Sequence, residues 1–565
     1  MRKLIIYNKN IPFQDSYNKK DLFEFNYNQN ESLDEYIHNK VIEKIDFKDL
    51  DVIYIKDNLS SNYLELHGII LAYHIRLSKE LKEKRFIPIV ILSDTTRDIL
   101  NKIDPIARIL FTKNIYLIPN TTQAIKKFQT RTLEPLKESE FKTHFLDLIT
   151  VAPPENSTSH SIANEWAIKR WATLLSLNSS ATEKNKAKIS SMLYVKYLEY
   201  KLDLIEPTVP KEKDSKSLLN GKLLFIDDKG KDGWNDIVEK YLDLHYEGME
   251  FKGFEESNFL DVPTIQREIK TTIEEYEPNI ILLDLRLLKE DANKDEIEDI
   301  TGIKILKAIK ELNPSIQIIM FSASNDSSIL DNIRDEGVLG YVKKDAPNDK
   351  YKSSNGGFEK LGKLIERGIK RKYLGEIYQI QKEITASSII FENILTIKNR
   401  EIENKKLRFK KKLTLTKNEE KINELEKSIE MVFEILNSNM AKNLIYAMLS
   451  IFKSIEYINN LFTYETSYPF NTHWIDSKKE ACTGTSPKNK ILKILEEKLS
   501  IVDMNNNIDE ITCFRNYNSH ASEIKYKCEK YLLRDKNEIR ELNGNDIIKW
   551  FKLLQIIISK IDKIP

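Results

Sequence analysis

Between Lys222 and Pro347 short apolar runs alternate with amphipathic stretches. Lys222–Ile226, Asn279–Leu283, Ile316–Phe321 and Val338–Val342 are nearly unbroken runs of branched and aromatic residues, the pattern of strands buried on both faces of a parallel sheet. Trp234–Tyr241, Thr264–Glu275, Gly302–Leu312 and Ser328–Asp335 carry apolar residues at helical spacing, and Phe358–Lys372 reads as a closing helix. Strand followed by helix, repeated, predicts an α/β doubly wound parallel sheet. Met1 to Asn120 repeats the pattern in weaker form: Lys3–Tyr7 reads as a first strand, Asp51–Ile55 as a third, Gly68–Arg76 parallels Gly302–Lys310, and Ile87–Ser93 parallels Ile316–Ser322. Beyond Glu420 the period is helical throughout, over Ile422–Leu436, Ala441–Phe462, Ile491–Val502, Ile508–Leu533 and Ile547–Ile561, which predicts an all-α C-terminal bundle.

These shifts in pattern divide the chain into two α/β domains, 1–150 and 218–372, a helical connector and linker at 151–217, a helical and basic linker at 373–419, and the helical domain at 420–565. A length of 565 residues suits three or four domains. With 88 Lys+Arg against 87 Asp+Glu no global field attracts nucleic acid, so any basic surface is local. Three cysteines without a CxxC pair suggest no disulfide framework and fit a reducing cytoplasm. The apolar run Leu4–Tyr7 is too short for a signal segment, and no stretch approaches the ~18 apolar residues of a membrane span. A soluble cytoplasmic protein is expected.

The chemistry sits where the central strands end. In a doubly wound sheet the carboxyl ends of the strands share one edge, where ligands bind. That edge collects Asp227 and Asp228, Asp284, Ser322, and Lys343 and Lys344. Three carboxylates at one edge repel one another unless a hard cation sits among them, and Mg2+ suits a site of carboxylates, waters and phosphate. Asp284 then serves as a nucleophile, with the cation and Lys344 neutralising a transferred phosphoryl group and the Ser322 hydroxyl bonding one of its oxygens.

Ile226-Asp-Asp228, Leu283-Asp-Leu285, Phe321-Ser-Ala323 and Gly340-Tyr-Val-Lys-Lys344 resemble the flavodoxin-like receiver domain of two-component response regulators. The resemblance covers about 125 residues, those between Lys222 and Pro347. It implies Asp284 as phosphoacceptor, Asp227 and Asp228 as the acid pair, and the backbone carbonyl of Arg286 completing a Mg2+ shell. It further implies Ser322 and Lys344 as switch residues, Tyr341 as the aromatic that changes rotamer, and a histidine kinase or other phosphodonor as partner. Two features depart from the family pattern: Asp345 stands where a proline often follows the lysine, and the loop Lys289–Ile300 is long and acidic. In the N-terminal repeat Asn8 stands at the acid pair, Lys56 at the acceptor and Pro119 near the lysine. Asp57 follows Lys56 but lacks an acid pair, so this domain reads as a degenerate pseudo-receiver used for docking or dimerisation.

In the connector, Ile162–Leu177 has helical spacing with Trp166, Trp171 and Leu175 near one stripe, and Pro207–Ser217 reads as a linker. His160, Asn164 and Arg170 lie on or beside that helix with nothing else converging on them, so a packing hairpin is expected there. Between Lys398 and Lys417 the chain is strongly basic, with Arg400, Lys405, Lys406, Arg408, Lys410, Lys411 and Lys412 as candidate RNA-phosphate contacts. A solvated helix face is the competing reading.

Late in the helical domain stands Cys513-Phe-Arg-Asn-Tyr-Asn-Ser-His520. Arginine and histidine without metal ligands suit RNA cleavage: the histidine moves a proton, the arginine holds the phosphate, and the 2′-hydroxyl attacks. On one regular helix Arg515 and His520 point about 140° apart, so they converge only where the helix ends or kinks, or where a second protomer contributes. Arg515-Asn-Tyr-Asn-Ser-His520 resembles the R-x4-H motif of HEPN-domain ribonucleases, including the polar Asn516 after the arginine. That resemblance implies a homodimer with a composite, metal-independent cleft. The sequence thus leads to a phosphorylation-controlled endoribonuclease, of a kind that serves stress or antiphage defence. The alternative is a non-enzymatic phospho-signalling adaptor whose helical domain binds a protein; DNA-binding control ranks last because no helix-turn-helix is evident.

Overall fold

The computed structural model describes residues 2–8, 17–62, 64–154, 159–203, 216–294, 296–323, 337–344, 355–386, 411–438, 443–461, 464–465, 472–473, 501, 504–520, 528–535 and 538–561. The N-terminal domain contains β1 (Lys3–Tyr7), β2 (Leu22–Glu24), β3 (Val52–Lys56), α1 (His67–Leu77), β4 (Ile89–Leu92) and β5 (Ile115–Ile118). Its strands form one parallel sheet in the order β2-β1-β3-β4-β5. The connector is three helices, α2 (Ser159–Leu174), α3 (Ser180–Ser191) and α4 (Leu193–Lys201).

The central domain follows: β6 (Ser217–Ile226), α5 (Trp234–His245), β7 (Tyr246–Gly253), α6 (Val262–Tyr276), β8 (Ile280–Leu283), α7 (Thr301–Leu312), β9 (Gln317–Ser322), β10 (Gly340–Lys343) and α8 (Asn355–Lys370). Its parallel order, β10-β9-β8-β6-β7, is topologically that of the first sheet. The doubly wound expectation holds for both domains. The expected helix Ser328–Asp335 lies outside the described residues.

Register makes the duplication exact at the strand ends. Ile226 lies opposite Leu283 in one sheet and Ile6 opposite Ile55 in the other, so Asp284 and Lys56 occupy equivalent positions. The glycine that opens the next helix repeats as well. Gly302 N donates to Leu285 O at 2.8 Å and Gly68 N to Asp57 O at 3.0 Å. A Cβ at Gly302 would collide with the carbonyls of Asp284 and Leu285, and one at Gly68 with those of Lys56 and Asp57, so only glycine lets the helix approach so closely.

The longer described C-terminal helices are α9 (Tyr373–Ala386), α10 (Lys411–Asn437), α11 (Asn443–Leu461), α12 (Asn505–His520) and α13 (Gly544–Ile561), with one short helical turn at Glu529–Leu532. A single apolar core runs from Leu374, Ile377, Ile380 and Ile384 of α9 through Val432, Ile451 and Phe514 to Trp550 and Leu554. The segment beginning at Tyr373, expected as linker, is thus packed into the helical core. Short antiparallel pairs, Tyr464–Glu465 with Thr472–His473 and Leu533–Asp535 with Glu538–Ile539, interrupt the helices. Of the expected single helix Ile508–Leu533, the structure shows α12 up to His520, residues 521–527 lie outside the described residues, and Leu533 lies in a strand. At the junction Arg371 donates to the carbonyls of Leu436, Asn437 and Ser438 at 2.9, 3.1 and 2.9 Å, and to Gln317 Oε1 at 3.2 Å. A guanidinium there satisfies the orphan carbonyls that end α10 and ties them to the start of β9.

Candidate phosphoacceptor site and its neighbours

The ends of β6 and β8 bring Asp227, Asp228 and Asp284 together, with one carboxylate oxygen from each lying within 4.8 Å of the others. Asp227 and Asp284 are buried and Asp228 is half-buried. Lys344, directly after β10 and fully buried, places its Nζ 2.6 Å from Asp227 Oδ2 and 3.7 Å from Asp284 Oδ1. Three carboxylates thus face one buried ammonium. Burial, then the charges of Asp227 and Asp284, push the Asp228 carboxyl up to about 8 against the pull of Lys229 and Lys344. Asp227 is raised by burial too, Lys344 pulling the other way and Asp284 adding to the rise. Burial works against the Lys344 ammonium, yet Asp227 and Asp284 outweigh it and raise its pKa.

An all-oxygen donor set with surplus negative charge fits a divalent cation such as Mg2+. The orphaned atoms fit as well: Asp284 Oδ1 and Ser322 Oγ are buried and make no hydrogen bond among the described residues. Tyr341, expected as the mobile aromatic, donates its hydroxyl to Ser322 O at 3.2 Å. Arg286, whose carbonyl was expected in the metal shell, sends its guanidinium to Asp291 O. Asp291 organises the long acidic loop, accepting from Leu287 N, Leu288 N, Thr301 N, Thr301 Oγ1 and Lys294 Nζ at 2.6 to 3.2 Å.

In the N-terminal domain the equivalent ground holds different chemistry. Lys56 Nζ donates to Asn8 Oδ1 at 3.1 Å, occupying the place of the acceptor with a cation. Asp57 accepts from Ser93 Oγ and is raised chiefly by burial. Asp94 is near enough to add to that rise, but no group of three potential metal ligands includes Asp57 among the described residues.

The connector reaches the acid pocket, contrary to the expectation that nothing converges on Asn164. Asn164 Oδ1 accepts from Lys344 Nζ at 3.1 Å and from Trp234 Nε1 at 2.9 Å. Ala163 packs on Ala323, next to Ser322, while Trp171 meets Trp234, Phe321 and Phe358 with ring centroids 5.6, 5.4 and 4.3 Å away. Gly233 and Gly357 leave the space: a Cβ on either would lie 3.1 to 3.2 Å from Ile168, Thr182 or Trp171. Arg170 packs on Trp166 instead, and the His160 side chain is outside the described residues. At the other end α4 enters the N-terminal core through Leu193, Tyr197 and Leu198. There Leu193 N donates to Asp34 Oδ2 at 2.9 Å and buried Lys196 donates to Ser78 Oγ at 3.0 Å.

In the helical domain Arg515 and Asn516 are placed and the His520 side chain is not. Arg515 Nη1 donates to Asn516 Oδ1 at 3.0 Å, and its guanidinium lies 5.3 Å from the Phe452 ring on α11. Burial raises the Glu456 carboxyl against the charges of Arg515 and Lys453. His520 is the last described residue of α12, and residues 521–527, where the helix was expected to end or kink, lie outside the described residues. Cys513 and Cys528 form a disulfide with Cα atoms 5.5 Å apart, which corrects the expectation of unpaired cysteines and removes the cysteine argument for a reducing compartment. Of the basic candidates, Arg400, Lys405, Lys406, Arg408 and Lys410 lie outside the described residues; Lys411 and Lys412 open α10, with undescribed side chains. Among the described residues no helix is long and apolar enough to cross a membrane.

Residues 6–118 match the family model described as Inactive Receiver domain. This match covers the N-terminal domain and supports its reading as a receiver-like domain, with Lys56 and Asn8 standing where the acceptor and acid pair were expected. No curated protein matches the chain. Among solved structures, the signal receiver domain of a protein named as a Luxo repressor from Vibrio parahaemolyticus is similar at 18% identity, covering 27% of this chain and 93% of its own, with a TM-score of 0.20. A two-component response regulator of the LuxR family from Aurantimonas sp. SI85-9A1 is similar at 18% identity over 26% of this chain and 85% of its own, with a TM-score of 0.19. Similarities of this size say nothing of activity.

Proposed function

We propose that this chain is a phosphorylation-controlled response regulator whose C-terminal helical domain is a HEPN-like endoribonuclease. The observation that carries the first half is the buried group of Asp227, Asp228 and Asp284 with Lys344. Asp227, Asp228 and Asp284, with the Arg286 carbonyl, would hold Mg2+, which when bound supplies charge neutralisation for a phosphoryl group. A carboxylate oxygen of Asp284 attacks the phosphorus of a histidine kinase or small phosphodonor; the bond to the donor breaks and its electron pair leaves with the donor. Lys344 and Ser322 receive the oxygens of the new acyl phosphate, whose charge then biases the face carrying Tyr341.

In the second half Arg515 holds an RNA phosphate, His520 moves the proton of the 2′-hydroxyl, and Asn516 orients Arg515. Support comes from the spacing of the motif and the Arg515 to Asn516 hydrogen bond. Two copies of the chain would face each other to complete the cleft, with the basic run from Arg400 to Lys412 along the RNA. Incubating purified protein with labelled RNA tests this, wild type cutting and Arg515→Ala and His520→Ala not. Full cutting by both variants would leave the adaptor reading. One feature favours that alternative: an apolar groove of about 600 Å3 between α10 and α11, with Met431 and Tyr446 exposed along it.

A further inference from the structure

Lys344 carries three donor hydrogens. One goes to Asp227 Oδ2 at 2.6 Å and another to Asn164 Oδ1 at 3.1 Å, and Asp284 Oδ1 lies 3.7 Å away. Asn164 is not part of the central domain. It is contributed by α2, well upstream of β6 in the sequence, and is only 4% exposed. Its oxygen is shared: the indole Nε1 of Trp234 donates to it at 2.9 Å, and the Trp234 ring lies 5.1 Å from Lys344 Nζ. Asn164 is thus the one described acceptor outside the acid triad that the buried ammonium uses, and it belongs to a helix whose neighbours continue into the N-terminal core.

We propose that Asn164 is a positioning residue for Lys344, and that through it the connector helices register the phosphorylation state of Asp284. This rests on the reading of Asp284 as phosphoacceptor. An ammonium free to swing toward Asp227 alone would close the acid pocket on itself. The Asn164 oxygen draws it toward α2 and leaves its third hydrogen for the incoming phosphoryl oxygen. A phosphoryl group on Asp284 competes for the same ammonium, so the Asn164 bond lengthens or turns and the Trp234 indole that shares its oxygen feels the change. Because Ala163 touches Ala323 and α4 is anchored by Asp34 and Ser78, the shift passes to the helices that join the two sheets.

The test uses the full chain with acetyl phosphate and Mg2+, following phosphoryl incorporation by intact mass, and 19F spectra of 5-fluorotryptophan-labelled protein with beryllofluoride as a stable stand-in for the phosphoryl group. Asn164→Ala is expected to lower the maximal phosphorylation rate by about tenfold to a hundredfold with the half-saturating donor concentration unchanged. It is also expected to weaken the beryllofluoride response of the Trp234 resonance, identified by its loss in Trp234→Phe, to the part that Lys344 transmits to the ring directly. Asn164→Ser, which keeps a shorter acceptor, is the second variant should the alanine protein not fold, and it is expected to slow the reaction in the same way. Phosphorylation of wild type together with a wild-type rate and Trp234 response in the Asn164 variants overturns the inference alone. Failure of wild type to take up phosphate overturns the phosphoacceptor reading, and the inference with it.

Discussion

Replacing Trp171 by alanine should unfold more than the helix that carries it. Trp171 is fully buried and wedged among Trp234, Phe321 and Phe358, so the connector supplies part of the core of the central domain rather than lying on its surface. Truncating a buried tryptophan costs about 3–5 kcal/mol, and edge-to-face ring pairs add about 0.5–1.5 kcal/mol beyond burial. At about 1.4 kcal/mol per decade, the amides of β6 and β9 should exchange with solvent roughly a hundredfold to a thousandfold faster in Trp171→Ala. Hydrogen exchange followed by mass spectrometry on the full chain reads this strand by strand, with Trp171→Phe expected to recover most of the protection. Protection of β6 and β9 unchanged in Trp171→Ala, with only α2 exchanging faster, would refute a shared core.

Adding Mg2+ should alter the fluorescence of Trp234, whose ring lies against Lys344, and Asp227→Asn or Asp284→Asn should abolish that response; an equal response in both variants would remove the metal site. Arg371→Ala should weaken the junction between α8 and the helical domain by about 1–3 kcal/mol, because it strips the Arg371 donor from the carbonyls of Asn437 and Ser438 and leaves that of Leu436 with Asn443 Nδ2 alone, and faster proteolysis near Asn437 checks it. His74 is fully buried, and burial lowers its pKa, with the nearby charges of Lys196 and His38 acting in the same direction and the hydrogen bond and charge of Asp34 opposing them. A lowered histidine favours the folded state above the unfolded value and loses that preference as pH falls. The N-terminal domain should therefore melt at lower temperature as pH drops below about 6.5, less steeply in His74→Gln; a melting temperature flat across that range would contradict it. Arg515→Ala and His520→Ala should abolish RNA cleavage and leave uptake of phosphate on Asp284 unchanged, as gel assays and intact mass would show.

Most of the sheet architecture was legible because buried parallel strands are written as apolar runs, and Asp227, Asp228, Asp284 and Lys344 stand at the ends of those runs. Edge strands escaped. Tyr246–Gly253 mixes glutamate, lysine and glycine with its apolar residues and is paired on one side only, and Leu22–Glu24 is three residues long. The role of Asn164 was invisible for another reason. One amide on an amphipathic helix has no period and no motif, and its partner lies 180 residues away. The tryptophan stripe of α2 was the usable hint, since Trp166 and Trp171 are more apolar surface than a hairpin needs to cover itself. Likewise the pairing of Cys513 with Cys528, whose Cα atoms lie 5.5 Å apart, needs the chain to turn back between them, which a helical period run on to Leu533 did not allow.

The most direct measurement is the mass of the full chain after incubation with acetyl phosphate and Mg2+. One added phosphoryl group, mapped to the peptide containing Asp284 and missing from Asp284→Asn, is the expected result. No addition, or equal addition to Asp284→Asn, would contradict the assignment of the acid pocket.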